Sequence, residues 1–140
     1  MYAVRPMNGL HLCAEWHDCE GERALALLRD PGGLRQASLA ATRAAGLTVV
    51  GELFHAFPAP GGVTGVVLLA ESHLALHTWP ELGAVTLDVY VCNRSADHSA
   101  RARQLLGTLR ALLCPARAEE REIIRGALGP PPCAPPASPA

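Results

Sequence analysis

The chain has 140 residues, about half of them hydrophobic, and a formal net charge of −1. That size suits one domain with one core, and the charge excludes the basic footprint of a nucleic-acid-binding protein. No apolar run is long enough to span a bilayer. In chain order, residues 10–16 alternate apolar and polar and predict a strand. A helical turn at 25–28 precedes Asp30-Pro31, an N-cap and first-turn proline that open a helix over about 32–45, with Gly46 as its stop. Residues 47–57 predict a second strand, and Pro58-Ala59-Pro60-Gly61-Gly62 a loop. Residues 63–79 read as one long β-prone run and 84–92 as another, with Pro80-Glu81-Leu82-Gly83 as the turn between them. Asp97 caps a helix over about 98–113 whose apolar stripe is Leu105, Leu106, Leu109, Leu112 and Leu113. Residues 119–125 fit either a last strand or a helix end. From Gly129, proline and alanine predict a disordered tail over 129–140, which leaves 1–128 as a single domain. The expected fold is α+β, a two-layer sandwich with helices on one face of a largely antiparallel sheet.

Met1-Tyr2-Ala3-Val4-Arg5 lacks the apolar stretch of a secretory signal. The five cysteines, Cys13, Cys19, Cys92, Cys114 and Cys133, form no CxxC pair. Both features predict a soluble cytoplasmic protein with reduced thiols. All twelve basic residues are arginine. With no lysine, the chain cannot anchor pyridoxal phosphate as an imine. Carbonyl chemistry here needs a carbonyl made from the chain itself.

A four-residue hairpin loop at 80–83 sets Trp79 opposite Ala84, His77 opposite Thr86, Ala75 opposite Asp88 and His73 opposite Tyr90. Leu76 then meets Leu87 and Leu74 meets Val89, so one face is apolar and the other polar. The register also sets Cys92 opposite Glu71, beside the Glu71-Ser72 bond, with Cys92 and His77 on the polar face. A regular strand points Ser72 away from His77. A bulge or bend near the junction is therefore expected if the two act together.

The segment Glu71-Ser72-His73-Leu74-Ala75-Leu76-His77-Thr78-Trp79-Pro80-Glu81 resembles the signature of prokaryotic S-adenosylmethionine decarboxylase proenzymes. The resemblance extends through His11-Leu12, Ala14-Glu15 and Cys19 to Phe54-His55-Ala56-Phe57 and Gly62-Val63-Thr64-Gly65-Val66-Val67, and covers about residues 9–114. A match of this length is specific in a way that a short glycine motif is not.

The resemblance implies self-cleavage between Glu71 and Ser72 into chains 1–71 and 72–140, with Ser72 becoming a pyruvoyl group that forms a Schiff base with substrate. By the same resemblance, Thr64 assists the acyl shift, His77 is the processing base and Cys92 the proton donor in turnover. Glu81, Phe57 and Trp79 match substrate-binding positions, although Phe57 and Trp79 also suit a core or an interface. The implied substrate is S-adenosylmethionine, decarboxylated to the aminopropyl donor of spermidine and polyamine synthesis. Leu82 and Ala84 stand where relatives often carry aromatics, which keeps arginine or ornithine open as substrates. An unprocessed, non-catalytic binding paralogue is the remaining alternative. Relatives typically form homodimers with the site near the subunit interface, so dimerisation into a larger sandwich is expected. His73 reads as a structural hydrogen-bonding residue. His73, His77 and Cys92 share a face, but no zinc-type ligand spacing supports them, and no metal is expected.

Overall fold

The structure, a computed structural model, describes residues 7–128; the predicted tail at 129–140 and Cys133 lie outside the described residues. Strand β1 (Met7–Cys19) is followed by α1 (Glu22–Leu27), α2 (Pro31–Ala44), β2 (Val49–Ala56), β3 (Val63–Leu69), β4 (Ser72–Trp79), β5 (Ala84–Cys92), α3 (Ser99–Leu113) and β6 (Pro115–Leu128). The strands form one six-stranded sheet in the order β2-β3-β4-β5-β1-β6, and every ladder is antiparallel. The helices pack on one face, giving the α+β two-layer sandwich.

Local chemistry explains the elements. Asp30 Oδ1 accepts from the Gly33 amide at 3.0 Å and Pro31 fills the first turn of α2. Gly46, at φ 77°, ends that helix region in the left-handed conformation glycine tolerates. The cap of α3 falls at His98, one residue after the predicted Asp97; Asp97 Oδ1 still accepts from the Ser99 amide at 2.9 Å, and the His98 amide donates to Asn93 Oδ1. The stripe of α3, Ala102, Leu105, Leu106, Leu109 and Leu113, is buried against Leu10, Leu12, Val67, Leu74, Leu76, Leu87 and Val89 of the sheet. Trp16 is fully buried and its indole N–H donates to Glu120 Oε1 at 3.0 Å, which satisfies the polar tip of the largest core side chain.

The hairpin register holds at every predicted pair from His73–Tyr90 to Trp79–Ala84. One expectation is corrected, and one left open is settled. Residues 63–79 are two strands, β3 and β4, folded back at Ala70-Glu71 with Leu69 paired to Ser72. Residues 119–125 belong to β6, which pairs with β1 along its whole length because Leu12, Ala14 and Trp16 offer it an alternating edge.

Among the described residues, nothing covers the sheet face away from the helices. Across it, one row holds Leu53, Val66, Ala75, Asp88, Cys13 and Arg121; the rows on either side hold His55, Thr64, His77, Thr86, Glu15 and Glu119, and Gly51, Leu68, His73, Tyr90, His11 and Ile123. The face is apolar toward β2 and β3, where Leu53 is 69% and Leu68 49% exposed, and polar toward β5 and β1.

Candidate active site

The Glu71-Ser72 bond leaves the two-residue turn between β3 and β4. The turn is tied down by the Ala70 amide, which donates to Thr48 O at 3.1 Å. The Ser72 hydroxyl oxygen accepts from the Cys92 backbone N–H at 2.9 Å. The expected Cys92–Glu71 pair is not formed. The β4–β5 ladder ends at His73–Tyr90, and Cys92 pairs instead with Gly9 of β1. Cys92 continues the open-face series Thr86, Asp88 and Tyr90, and it is half-buried with a free thiol. Ser72 follows the opposite parity and lines a recess of about 120 Å³ that also contains Glu71, Ser95, His98 and Arg101. His98 and Arg101 enter this neighbourhood through a non-local contact of α3 with the turn, so no sequence spacing marks them.

The other predicted residues gather at the far end of β4. His77 Nδ1 lies 3.1 Å from Thr64 Oγ1, as their pairing across β3 and β4 dictates. The Trp79 indole N–H reaches Thr86 Oγ1 at 3.5 Å. Phe57, Gly62, Thr64, His77, Trp79 and Glu81 line an open cavity of about 430 Å³. Phe57 is 52% and Trp79 44% exposed, so neither is a core residue in the monomer. Thr78 holds the cavity wall. Its hydroxyl donates to Leu28 O at 2.6 Å and accepts from the Val63 amide at 2.8 Å. Gly62 is required there because a Cβ would overlap the Thr78 carbonyl oxygen.

The chain thus presents two groups of residues, not one. The predicted bulge is absent: neither ladder of β4 shifts register between His73 and His77. Five residues of regular strand, at about 3.3 Å each, put Ser72 about 16 Å from His77.

Between the two groups, His11 Nε2 and His73 Nε2 meet Asp88 Oδ2 at 3.0 and 2.7 Å. The hydrogen-bonding reading of His73 is borne out. These three side chains have metal-ligand geometry, as do the surface residues Glu15, His17 and Glu119. At His11, however, the Arg125 guanidinium lies 3.2 Å from Nδ1 and 4.8 Å over the Tyr90 ring. It leaves Nε2 as the protonated nitrogen facing Asp88 and sets a positive charge beside the triad. A hydrogen-bonded network that braces β1, β4 and β5 fits these contacts better than a cation site. Nearby, burial first and the Asp88 charge second push the Cys13 thiol up, which disfavours its thiolate.

A family described as S-adenosylmethionine decarboxylase matches residues 10–126. The chain is 39% identical over 121 residues to an S-adenosylmethionine decarboxylase proenzyme of Pseudomonas aeruginosa, covering 79% of this chain and 72% of that one. It is 37% identical over 123 residues to the proenzyme of the same name from Moorella thermoacetica, covering 88% and 91%. The crystal structure of adenosylmethionine decarboxylase from Aquifex aeolicus superposes with a TM-score of 0.77 at 30% identity, covering 89% of this chain and 96% of that one.

Proposed function

The chain belongs to the S-adenosylmethionine decarboxylase family, and we propose on that basis that it is a self-processing, pyruvoyl-dependent decarboxylase of S-adenosylmethionine that supplies an aminopropyl donor for polyamine synthesis. The observation that carries this proposal is the Glu71-Ser72 bond at the exit of a pinned turn, with the Ser72 hydroxyl held by the Cys92 amide. Held there, the Ser72 oxygen adds to the Glu71 carbonyl carbon. The C–N bond breaks as the C–O bond forms, and the hydroxyl proton ends on the freed amine. Removal of the Ser72 α-proton then expels the Glu71 carboxylate and leaves a dehydroalanine. Water replaces its nitrogen, released as ammonia, to give the pyruvoyl terminus of the chain 72–140. Residue 72 begins β4, so the new terminus stands at the end of a strand. The pyruvoyl carbonyl supplies the electron acceptor for decarboxylation, the task that pyridoxal phosphate performs elsewhere.

The roles of the remaining residues follow from where they sit. Thr64 and His77 form a hydrogen-bonded pair suited to proton transfer. General-base catalysis needs contact within hydrogen-bond reach or through one water, and about 16 Å separates His77 from Ser72 in one chain. His77 therefore serves the Ser72 of a second copy. A twofold axis over the open face near Ala75 exchanges the two ends of β4. It lays the Thr64-His77 group of each copy over the Cys92 side chain and the open-face side of the Ser72 backbone of the other, as a closed isologous dimer requires. The exposed Leu53 and Leu68 supply the apolar contact for that stacking. In the composite centre, Cys92 donates the proton that replaces the lost carboxylate, Glu81 accepts from ribose hydroxyls, and Phe57 and Trp79 offer ring faces to a sulfonium or purine. No metal enters these steps. We place the enzyme in the cytoplasm, because a Cys92 thiol that donates protons requires a reducing compartment.

The test is intact-mass spectrometry followed by carbon dioxide release from S-adenosylmethionine, arginine and ornithine. Two fragments divided after Glu71, with pyruvoyl at residue 72 and release from S-adenosylmethionine, are expected. Release from arginine or ornithine alone would reassign the substrate. A single full-length species after long incubation would identify a non-catalytic paralogue.

A further inference from the structure

The recess behind the scissile bond holds two buried polar atoms with no hydrogen-bond partner among the described residues, Glu71 Oε2 and His98 Nδ1. They belong to neighbours: His98 Nε2 lies 4.0 Å from Glu71 Oε2 and 3.4 Å from Ser95 Oγ. The Glu71 and His98 side chains retain only 29% and 18% of their exposure. The other charged group lining the recess is Arg101, whose Nη1 donates to Gly46 O at 3.0 Å and is thereby engaged. Asp97, beside His98, accepts from the Ser99 amide. His98 is thus the basic side chain nearest the Glu71 carboxylate.

We infer that His98 is a positioning residue for self-cleavage, acting through the Glu71 side-chain carboxylate. This role rests on cleavage at Glu71-Ser72. Two groups flank the scissile peptide, and each is anchored by a different element. Ser72 Oγ accepts from the Cys92 amide of β5, and the Glu71 carboxylate faces His98 Nε2 at 4.0 Å at the head of α3. Attack of a hydroxyl on the preceding carbonyl depends on the rotation of the peptide between them. Fixing both ends restricts that rotation to the reacting arrangement. Half-buried, the contact keeps more of its strength than a surface pair of equal length.

A double-mutant cycle on the cleavage rate tests this role, measured by the mass of the two fragments over time after synthesis. His98→Gln is expected to slow cleavage about tenfold, the scale of one lost positioning contact. Glu71→Gln should slow it by a similar factor. The double variant should be no slower than either single one, because both remove the same contact. A packing role for His98 would instead multiply with the Glu71 substitution. Wild-type cleavage rates in His98→Gln, or multiplying effects in the double variant, would overturn the assignment. Failure of the unaltered chain to cleave would overturn the processing reading itself.

Discussion

Two variants that are each unable to mature should repair one another. On the proposed mechanism, Ser72→Ala lacks the attacking hydroxyl and His77→Ala lacks the base, whose Nδ1 lies 3.1 Å from Thr64 Oγ1. The gap of about 16 Å along β4 is several times the reach of a proton transfer, so neither variant contains a complete centre in one chain. In a mixed dimer, the intact Ser72 of the His77→Ala chain faces the intact His77 of the Ser72→Ala chain, and the other centre lacks both groups. Random pairing of equal amounts makes about half of the dimers mixed, so about half of the His77→Ala chains should be cut. The Ser72→Ala chains should stay whole. Co-expression with tags of different mass, followed by denaturing electrophoresis and intact-mass spectrometry, reads both outcomes. If mixed dimers captured through the two tags contain no cut chain, or if His77→Ala cuts equally well alone, the two-copy centre is wrong.

Other outcomes follow from single contacts. Cys92→Ala should still mature, because it is the backbone N–H of residue 92 that holds the Ser72 oxygen, but decarboxylation should fall by about a hundredfold or more for want of the proton donor; normal turnover would remove Cys92 from that role. Thr78→Val should cost about 3 kcal/mol in urea unfolding of the Ser72→Ala chain, since it leaves the buried Val63 N–H and Leu28 C=O without their partner. A loss below about 0.5 kcal/mol would show that water or a rearrangement replaces those bonds.

The β4–β5 hairpin is legible because Pro80 and Gly83 punctuate it and the leucines and valines on either side alternate with polar residues. A one-residue slip would then turn the apolar side chains of one strand to the polar face, and the turn length fixes the rest. The break between β3 and β4 is not legible. Its turn residues are Ala70 and Glu71, neither of which has positive φ, so glycine, asparagine or proline is absent where a two-residue turn usually shows one. The run of valines and leucines continues through it. The same break explains the fate of the expected bulge. Ser72 does not need to be turned toward His77 of its own strand, because the fold puts the two at opposite ends. The resemblance could name Cys92, Thr64, Glu81, Phe57 and Trp79 as candidates. It could not name His98, whose place beside Glu71 depends on how α3 docks against a turn distant in sequence.

The strand order has a consequence for the life history of the molecule. A cut after Glu71 would assign β1, β2 and β3 to one piece and β4, β5 and β6 to the other, while their order in space is β2-β3-β4-β5-β1-β6. The pieces therefore interleave, with β1 of the first clasped between β5 and β6 of the second. They cannot part without unravelling the sheet. Before the cut, folding is a first-order event in one chain; after it, rebuilding the sheet is a second-order encounter whose success depends on concentration. Maturation is then a one-way ratchet. The chain must fold first and cut second, and a cut molecule that melts in dilute solution has lost the connection that guided its assembly.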